Sequence, residues 1–78
     1  MKTFEVMLSS INDVKDFVNA ACEMACEIDL VSGRYIIDAK SIMGIFSLDL
    51  TKPIKVEIRG TDEDANTFYE KIKTHVKG

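Results

Sequence analysis

The stretch from Ile54 to Asp64 reads IKVEIRGTDED and places the end of a predicted β-strand directly before the start of a predicted helix. Apolar and charged residues alternate without interruption from Ile54 to Arg59, which is the pattern of a strand with one buried face. Gly60 interrupts the alternation, and Thr61 is a favourable N-cap residue followed by three acidic residues. Because carboxylates stabilise the positive end of the helix dipole, the sequence predicts a final helix that begins after Thr61.

Two segments have the apolar spacing of amphipathic helices, with hydrophobic residues three and four positions apart. In the first, between Asn12 and Glu27, these residues are Val14, Phe17, Val18, Ala21, Met24 and Ala25. In the last, after Thr61, they are Ala65, Phe68, Tyr69, Ile72 and Val76. Ser10, Asn12 and Asp13 are all suitable N-caps for the first helix. We expect both helices to bury their apolar faces against a sheet.

The remaining patterns complete an α+β fold. Alternation from Phe4 to Leu8 predicts a first strand. A strand around Ile28 and Leu30 and another from Tyr35 to Ala39 flank the turn signal SGR at residues 32–34, which predicts a hairpin. The order of elements predicts a four-stranded antiparallel sheet with three helices on one face. At 78 residues the chain is predicted to be a single domain covering residues 1–78.

Composition and charge exclude several classes of protein. With 46% hydrophobic and 29% charged residues the chain is an ordinary globular sequence, and its formal net charge of -3 argues against a nucleic-acid-binding surface. No apolar run approaches the length of a membrane span, and the opening MKTFEVML alternates too early for a signal peptide. These features predict a cytoplasmic protein without nucleic-acid or membrane partners.

The two cysteines, Cys22 and Cys26, lie four positions apart within the first predicted helix. Parallel side-chain directions would strain a disulfide between them, so we expect reduced thiols. A structural zinc site would need two further ligands, and the sequence supplies none at a suitable spacing. On a helical projection Cys22 flanks the apolar stripe and Cys26 points further toward solvent, which predicts that Cys26 reacts first.

The segment from Lys40 to Leu48, KSIMGIFSL, is apolar on nearly all sides of a short predicted helix. At 100° per residue Ile45 can reach the sheet, Met43 lies nearly opposite, and Ile42 and Phe46 lie between them. A sandwich with one covered face cannot bury both sides of this helix. Met43 and much of Ile42 and Phe46 are therefore predicted to form an exposed interaction surface.

Ser41 precedes this helix and is its predicted N-cap, with its hydroxyl bonded to backbone N–H groups of the first turn. The simplest interpretation is that of a capping residue alone. The same position also suits a phosphate, because the free N–H groups and the helix dipole stabilise negative charge there. A phosphoserine would place about two negative charges beside the apolar surface. Ser41 is thus a candidate regulatory phosphorylation site.

Together these features resemble HPr, the phosphocarrier protein of the bacterial sugar phosphotransferase system, and especially its Gram-positive form. The resemblance rests on KSIMGIFSL between a hairpin and an alternating strand, on KTFEV at Lys2–Val6 and on FVNAA at Phe17–Ala21. It implies an HPr-like open-faced sandwich. It also implies that Ser41 corresponds to the serine phosphorylated by an ATP-dependent HPr kinase, and that the residues docking partner proteins correspond to Ile42, Met43 and Phe46.

One hallmark of HPr is missing from the sequence. HPr carries phosphate on a histidine at the start of its first helix, in a segment reading His-Ala-Arg-Pro, whereas this chain has LSSINDVKDF at residues 8–17. Aligned back from Ser41 without a gap, the histidine position falls on Ser10; with a later gap it falls near Asn12 or Asp13. A serine phosphate is a stable ester and a poor donor, so Ser10 is a degenerate phosphohistidine position. An acyl phosphate on Asp13 would be labile, but the neighbouring arginine is also missing.

The remaining polar motifs suggest no catalysis. His75, the single histidine, lies near the C-terminus of the last predicted helix, where we expect it to complement the helix dipole. The acidic run at residues 62–64 lacks the spacing and the turn glycine of a calcium loop. No nucleophile triad, carboxylate pair or glycine-rich phosphate loop can be assembled, so the sequence predicts a non-enzymatic protein without metal or cofactor.

The resemblance favours a histidine-less HPr-like module that acts in sugar-transport regulation and catabolite repression. HPr paralogues that lack the histidine and keep the serine act as corepressors of a catabolite-control transcription factor after serine phosphorylation. The implied partners are proteins: an HPr kinase-like enzyme, a transcription regulator, or components of the phosphotransferase system. Two alternatives stay open, namely a phosphocarrier with a non-histidine acceptor such as Asp13, and an HPr-like fold that binds an unrelated partner.

Overall fold

The computed structural model describes residues 2–76, so Met1, Lys77 and Gly78 lie outside the described residues. In this range the chain forms four strands, three α-helices and one final 3-10 turn. The strands are β1 (Lys2–Val6), β2 (Glu27–Ser32), β3 (Tyr35–Asp38) and β4 (Ile54–Arg59). The helices are α1 (Ile11–Cys22), α2 (Ile42–Phe46) and α3 (Asp62–Ile72), and the 3-10 turn covers Lys73–His75.

The four strands form one antiparallel sheet in the order β1-β4-β2-β3. β4 is paired on both sides, so that its Val56 lies opposite Phe4 of β1 and Leu30 of β2. Ile54, Val56 and Ile58 are completely buried, whereas the charged residues that alternate with them face the uncovered side of the sheet. The helices pack on the apolar side. The predicted α+β fold, an antiparallel four-stranded sheet with three helices, is confirmed.

α1 is shorter than the sequence pattern suggested. Of the three possible caps, Ser10 takes the N-cap position, and its hydroxyl accepts a hydrogen bond from the Asp13 N–H at 3.1 Å. The helix ends at Cys22 rather than near Glu27. Glu27 is the first residue of β2, where it pairs with Arg59 of β4. The helix therefore cannot continue to Glu27.

The early end of α1 reverses the expected exposure of the two thiols. Cys22, the last residue of the helix, is exposed, whereas Cys26 is half-buried and packs against the core just before β2. The prediction that Cys26 points toward solvent is wrong, because the helical projection does not apply beyond Cys22. Met24 in the connection is buried as predicted, and Ala25 is exposed.

We expect Cys22 to react with iodoacetamide at least severalfold faster than Cys26 in the folded protein, because reactivity follows access to the thiol. Mass spectrometry after cleavage at Glu23 would separate the two sites and follow each over time. In urea the two rates should converge. Equal rates in the native protein would contradict the assignment.

α3 begins with reciprocal capping bonds. The Thr61 hydroxyl accepts from the Asp64 N–H, and the Asp64 carboxylate accepts from the Thr61 N–H, each at 3.0 Å. This arrangement satisfies two of the free N–H groups at the helix start. It confirms Thr61 as the N-cap and gives the acidic run a structural role.

The predicted apolar face of α3 is buried only in part. Phe68 and Ile72 are buried, but Tyr69 is 40% exposed, in contrast to its predicted burial. Tyr69 lies at the margin of the sandwich, where its ring stands edge-on to Phe4 with 5.6 Å between ring centroids. Val76 is half-buried and lies beyond the helix, where it forms a β-bridge with Val6 rather than extending the face of α3.

α2 lies so close to β3 that one of its positions requires glycine. A Cβ atom on Gly44 would lie 2.7 Å from Cγ2 of Ile37 and 3.0 Å from Oγ of Ser41. The methyl group of Ile37 is attached to a β-branched carbon and has little freedom to rotate away. Ile45, the next residue, is completely buried and holds the short helix on the sheet.

Gly44→Ala should therefore lower the free energy of unfolding, by about 1–3 kcal/mol, through this overlap. The sign is informative, since glycine to alanine within a helix ordinarily stabilises a protein by about 1 kcal/mol. Urea unfolding followed by circular dichroism would measure the change. Met43→Ala in the same helix is the control and should stay within about 0.5 kcal/mol of the parent; a stability unchanged or raised by Gly44→Ala would contradict the close approach.

Candidate functional site

Ser41 is an exposed residue fixed between β3 and α2. Its Oγ accepts a hydrogen bond from the Gly44 N–H at 3.3 Å, and its carbonyl accepts from the Ile45 N–H at 3.1 Å. Its own N–H donates to the Asp38 carbonyl at 3.0 Å. The predicted N-cap position of Ser41 is confirmed, and all of these contacts come from residues close to it in the chain.

The residues after Ser41 form an apolar surface, which we call the α2 surface and define as Ile42, Met43 and Phe46. Met43 is 76% and Phe46 39% exposed, whereas Ile42 is half-buried and packs against the core. Such a group of exposed apolar side chains is typical of an interaction site. Its role as a docking site stays a prediction.

β3 carries two further exposed apolar side chains. Tyr35 and Ile36 are 67% and 62% exposed, and Ile36 lies opposite Val31 on the side of the sheet that the helices do not cover. The sequence pattern predicts a strand at these residues but does not predict their exposure. The missing information was the strand order, because a residue of an edge strand cannot be recognised as such from its own segment.

Ser10, the degenerate phosphohistidine position, is exposed and caps α1. Three positions along the chain, the Asp13 carboxylate accepts hydrogen bonds at 3.2 Å from both the N–H and the hydroxyl of Ser9. The segment before α1 is thus a small polar loop held by the first turn of the helix. Nothing in these contacts requires a phosphate on Ser10.

The structure brings His75 to this same end of α1. Its Nδ1 lies 3.7 Å from Oδ1 of Asp13, and its Nε2 lies 3.9 Å from Oδ2 of Asp16. Only 13% of the His75 side chain is exposed. The prediction that His75 complements the dipole of the last helix is wrong, because α3 ends at Ile72 and the 3-10 turn directs the imidazole toward α1.

Asp13 is held in its ionised form. Burial opposes ionisation, but the hydrogen bonds from Ser9, the positive charge of His75 when it is protonated and the hydrogen bond with Ser10 together lower the pKa of Asp13 below its ordinary value. The folded chain therefore stabilises the carboxylate relative to the carboxylic acid.

Other kinds of site find no support within residues 2–76. This part of the chain contains no group of three or more His, Cys, Asp or Glu side chains that could hold a metal ion. None of its helices has both the length and the apolar character needed to cross a membrane.

Comparison with known proteins assigns the chain to a family. The family model described as PTS HPr component phosphorylation site matches residues 13–77. The chain belongs to the HPr family. HPr-family proteins are phosphocarriers of the phosphotransferase system and interact with its protein components.

A solved structure described as HPr-C-His from Thermoanaerobacter tengcongensis has the same fold, with a TM-score of 0.75 and 24% sequence identity. The match covers 95% of this chain and 93% of that HPr. No curated protein matches the sequence. The HPr family match includes Ser41 and the α2 surface and begins at Asp13, so Ser9 and Ser10 lie outside it.

Asp13→Asn should remove part of the acid sensitivity of this HPr-family protein. A pKa that is lower in the folded than in the unfolded chain adds stability above the ordinary value of 3.8, and this stability is lost as the pH falls through the folded pKa. The difference in Tm between parent and variant should be constant above about pH 5 and shrink below about pH 4.

Thermal unfolding followed by circular dichroism across this range would measure the difference. Ser9→Ala removes the hydrogen bond from the Ser9 hydroxyl to Asp13 and keeps the one from the Ser9 N–H. The difference in Tm between parent and Ser9→Ala should also shrink at acid pH, but it should be smaller than that for Asp13→Asn. A difference in Tm that stays constant throughout the acid range would contradict the lowered pKa.

Proposed function

We propose that this HPr-family protein is a regulatory, protein-binding module that lacks the active-site histidine at the start of α1 and is switched by phosphorylation of Ser41. The observation that carries the proposal is that Ser41 is exposed and that the exposed side chain of Met43 follows only two positions later in the chain. Partner contact through the α2 surface and control through Ser41 then share one short segment.

A phosphate on Ser41 can alter binding without unfolding the domain. The hydroxyl is exposed and makes one hydrogen bond of 3.3 Å, so its modification removes no buried contact. The added charge, about two negative units, would lie near the free N–H groups of the first turn of α2. The buried residue Ile45 would keep the helix in place, while the start of α2 becomes strongly anionic.

The partners that fit this surface are proteins with an apolar recess bordered by basic groups. An apolar recess would receive Met43, whose flexible thioether adapts to its surroundings. Basic side chains, arginine above all, would bind the phosphate. The classes proposed are an HPr kinase-like enzyme that modifies Ser41, and a catabolite-control transcription regulator or components of the phosphotransferase system that bind afterwards.

The test combines phosphorylation with binding. The protein is incubated with ATP and an HPr kinase from a Gram-positive bacterium, and intact-mass and peptide analysis should find one phosphate on Ser41. Calorimetric titration with the catabolite-control transcription factor should then detect binding of the phosphorylated form. Ser41→Ala should abolish both results, and a control HPr modified in the same tube guards against inactive kinase.

A matched pair of variants tests the α2 surface separately. Met43→Ala should weaken binding of the phosphorylated protein about tenfold, which is the effect of truncating an important interface residue. Ile11→Ala removes an apolar side chain that is 62% exposed at the start of α1 and should leave affinity unchanged. Equal effects of the two substitutions, or no phosphate on Ser41 while the control HPr is modified, would overturn the proposal.

The alternative function is that of a phosphocarrier with a non-histidine acceptor, Asp13. It is favoured by the ionised carboxylate of Asp13 in the first turn of α1, where backbone N–H groups can face a phosphate. Incubation with phosphoenolpyruvate and the first enzyme of the phosphotransferase system should then give a phosphoprotein that hydroxylamine cleaves. Asp13→Asn should remove this phosphate, and an unmodified parent protein would exclude the alternative.

A further inference from the structure

Asp13 and His75 place a carboxylate oxygen 3.7 Å from one ring nitrogen of an imidazole. We propose that His75 is a phosphoryl-acceptor site in which Nε2 attacks phosphorus and Asp13 orients the ring through Nδ1. The site is distinct from Ser41, because it uses a different residue and a different phosphoryl donor.

Both partners of the pair are anchored by backbone contacts. The carbonyl of His75 accepts a hydrogen bond from the Met7 N–H at 2.8 Å, and the next residue, Val76, forms a bridge with Val6. Asp13 is fixed within the first turn of α1 and by its two hydrogen bonds from Ser9. The imidazole is therefore presented by the folded chain rather than carried on a free terminus.

Asp13 determines which ring nitrogen is available. Its Oδ1 lies 3.7 Å from Nδ1, close enough for a small rotation of the ring to form a hydrogen bond. A carboxylate beside Nδ1 favours the tautomer with the proton on that nitrogen, and this leaves the lone pair on Nε2. Such contacts are commonly long in the free protein and shorten during reaction.

Nε2 faces a second and different carboxylate. Asp16 Oδ2 lies 3.9 Å away, but 70% of this side chain is exposed, so it can move into solvent when a donor approaches. Its negative charge repels the anionic phosphoryl group and opposes the reaction. Asp13 and Asp16 should therefore affect the rate with opposite signs, which a purely structural role for the pair would not produce.

The chemical step is a transfer between two nitrogen atoms. The Nε2 lone pair forms a P–N bond to the phosphoryl group, and the bond between phosphorus and the leaving nitrogen of the donor breaks. With phosphoramidate as donor, ammonia leaves with that electron pair. Nδ1 keeps its proton, so the phosphorylated ring is positively charged and faces the carboxylate of Asp13.

The experiment uses phosphoramidate, a small donor that needs no partner protein. The folded protein and a synthetic peptide of residues 70–78 are incubated with it near neutral pH, and phosphate is followed by mass spectrometry and by phosphorus NMR. We expect phosphate on Nε2 of His75 to form about tenfold faster in the protein than in the peptide. The product should survive base and be lost in mild acid.

Three substitutions test the roles of the residues. His75→Gln should abolish the modification, Asp13→Asn should slow it about tenfold, and Asp16→Asn should leave the rate unchanged or raise it severalfold. Circular dichroism and urea unfolding check that each variant is folded under the reaction conditions. The opposite behaviour of Asp13→Asn and Asp16→Asn is the result that distinguishes orientation from general electrostatics.

Several results would overturn the proposal. A rate in the folded protein no higher than in the peptide would show that the fold does not activate His75. Phosphate on Nδ1, a hydroxylamine-sensitive phosphate on Asp13, or equal rates for a folded Asp13→Asn variant and the parent would each remove the assignment. The kinase experiment on Ser41 is unaffected by any of these outcomes, so the two proposals can fail separately.

Discussion

Within residues 2–76, β4 pairs along its length with two neighbours, and the rest of the structure is arranged around this central position. Because side chains alternate along a strand, the register of the pairs places Phe4, Val56 and Leu30 on one face. Ile54, Val56 and Ile58 are completely buried there. The opposite face is mostly charged along β4 and carries Arg59, whose guanidinium donates to Asp29 at 2.8 Å. A sheet with only one apolar face accepts helices on one side only, and this leaves β1 and β3 as edges.

The two edges are used differently. At the β1 edge the end of the described chain returns, so that Val76 bridges to Val6 and His75 reaches the first turn of α1. At the β3 edge the chain turns directly into α2, whose close approach requires Gly44. The His75 site lies beside the bridge from Val76 to the β1 edge, and the Ser41 site lies where the chain leaves the β3 edge. In each case a polar side chain follows or precedes a residue that belongs to or pairs with an edge strand.

The parts of the structure that could be predicted from the sequence are those set by local patterns. The alternation at residues 54–59, the cap at Thr61 and the position of Ser41 before α2 depend on neighbouring residues, and the structure agrees with each. The errors have a different origin. α1 ends before Glu27 because Glu27 pairs with Arg59 of β4, a strand from a distant part of the chain. His75 faces α1 because the last turn folds back past β1. Neither relation is encoded in a hydrophobic period, so the exposure of Cys22 and the pairing of His75 with Asp13 required the tertiary structure.

This difference between local and tertiary contacts also separates the chemistry of the two sites. Ser41 is fixed by hydrogen bonds to Asp38, Gly44 and Ile45, so a modification there acts on one short helix and on the surface beside it. His75 is oriented only when β1, α1 and the final turn are assembled, so any reactivity of its ring depends on the integrity of the whole sandwich. A serine ester is stable and suits a lasting signal, whereas a phosphorus–nitrogen bond to imidazole is labile and suits transfer. Under the two proposals, the durable modification falls on a locally built segment and the labile one falls where the two ends of the described chain meet.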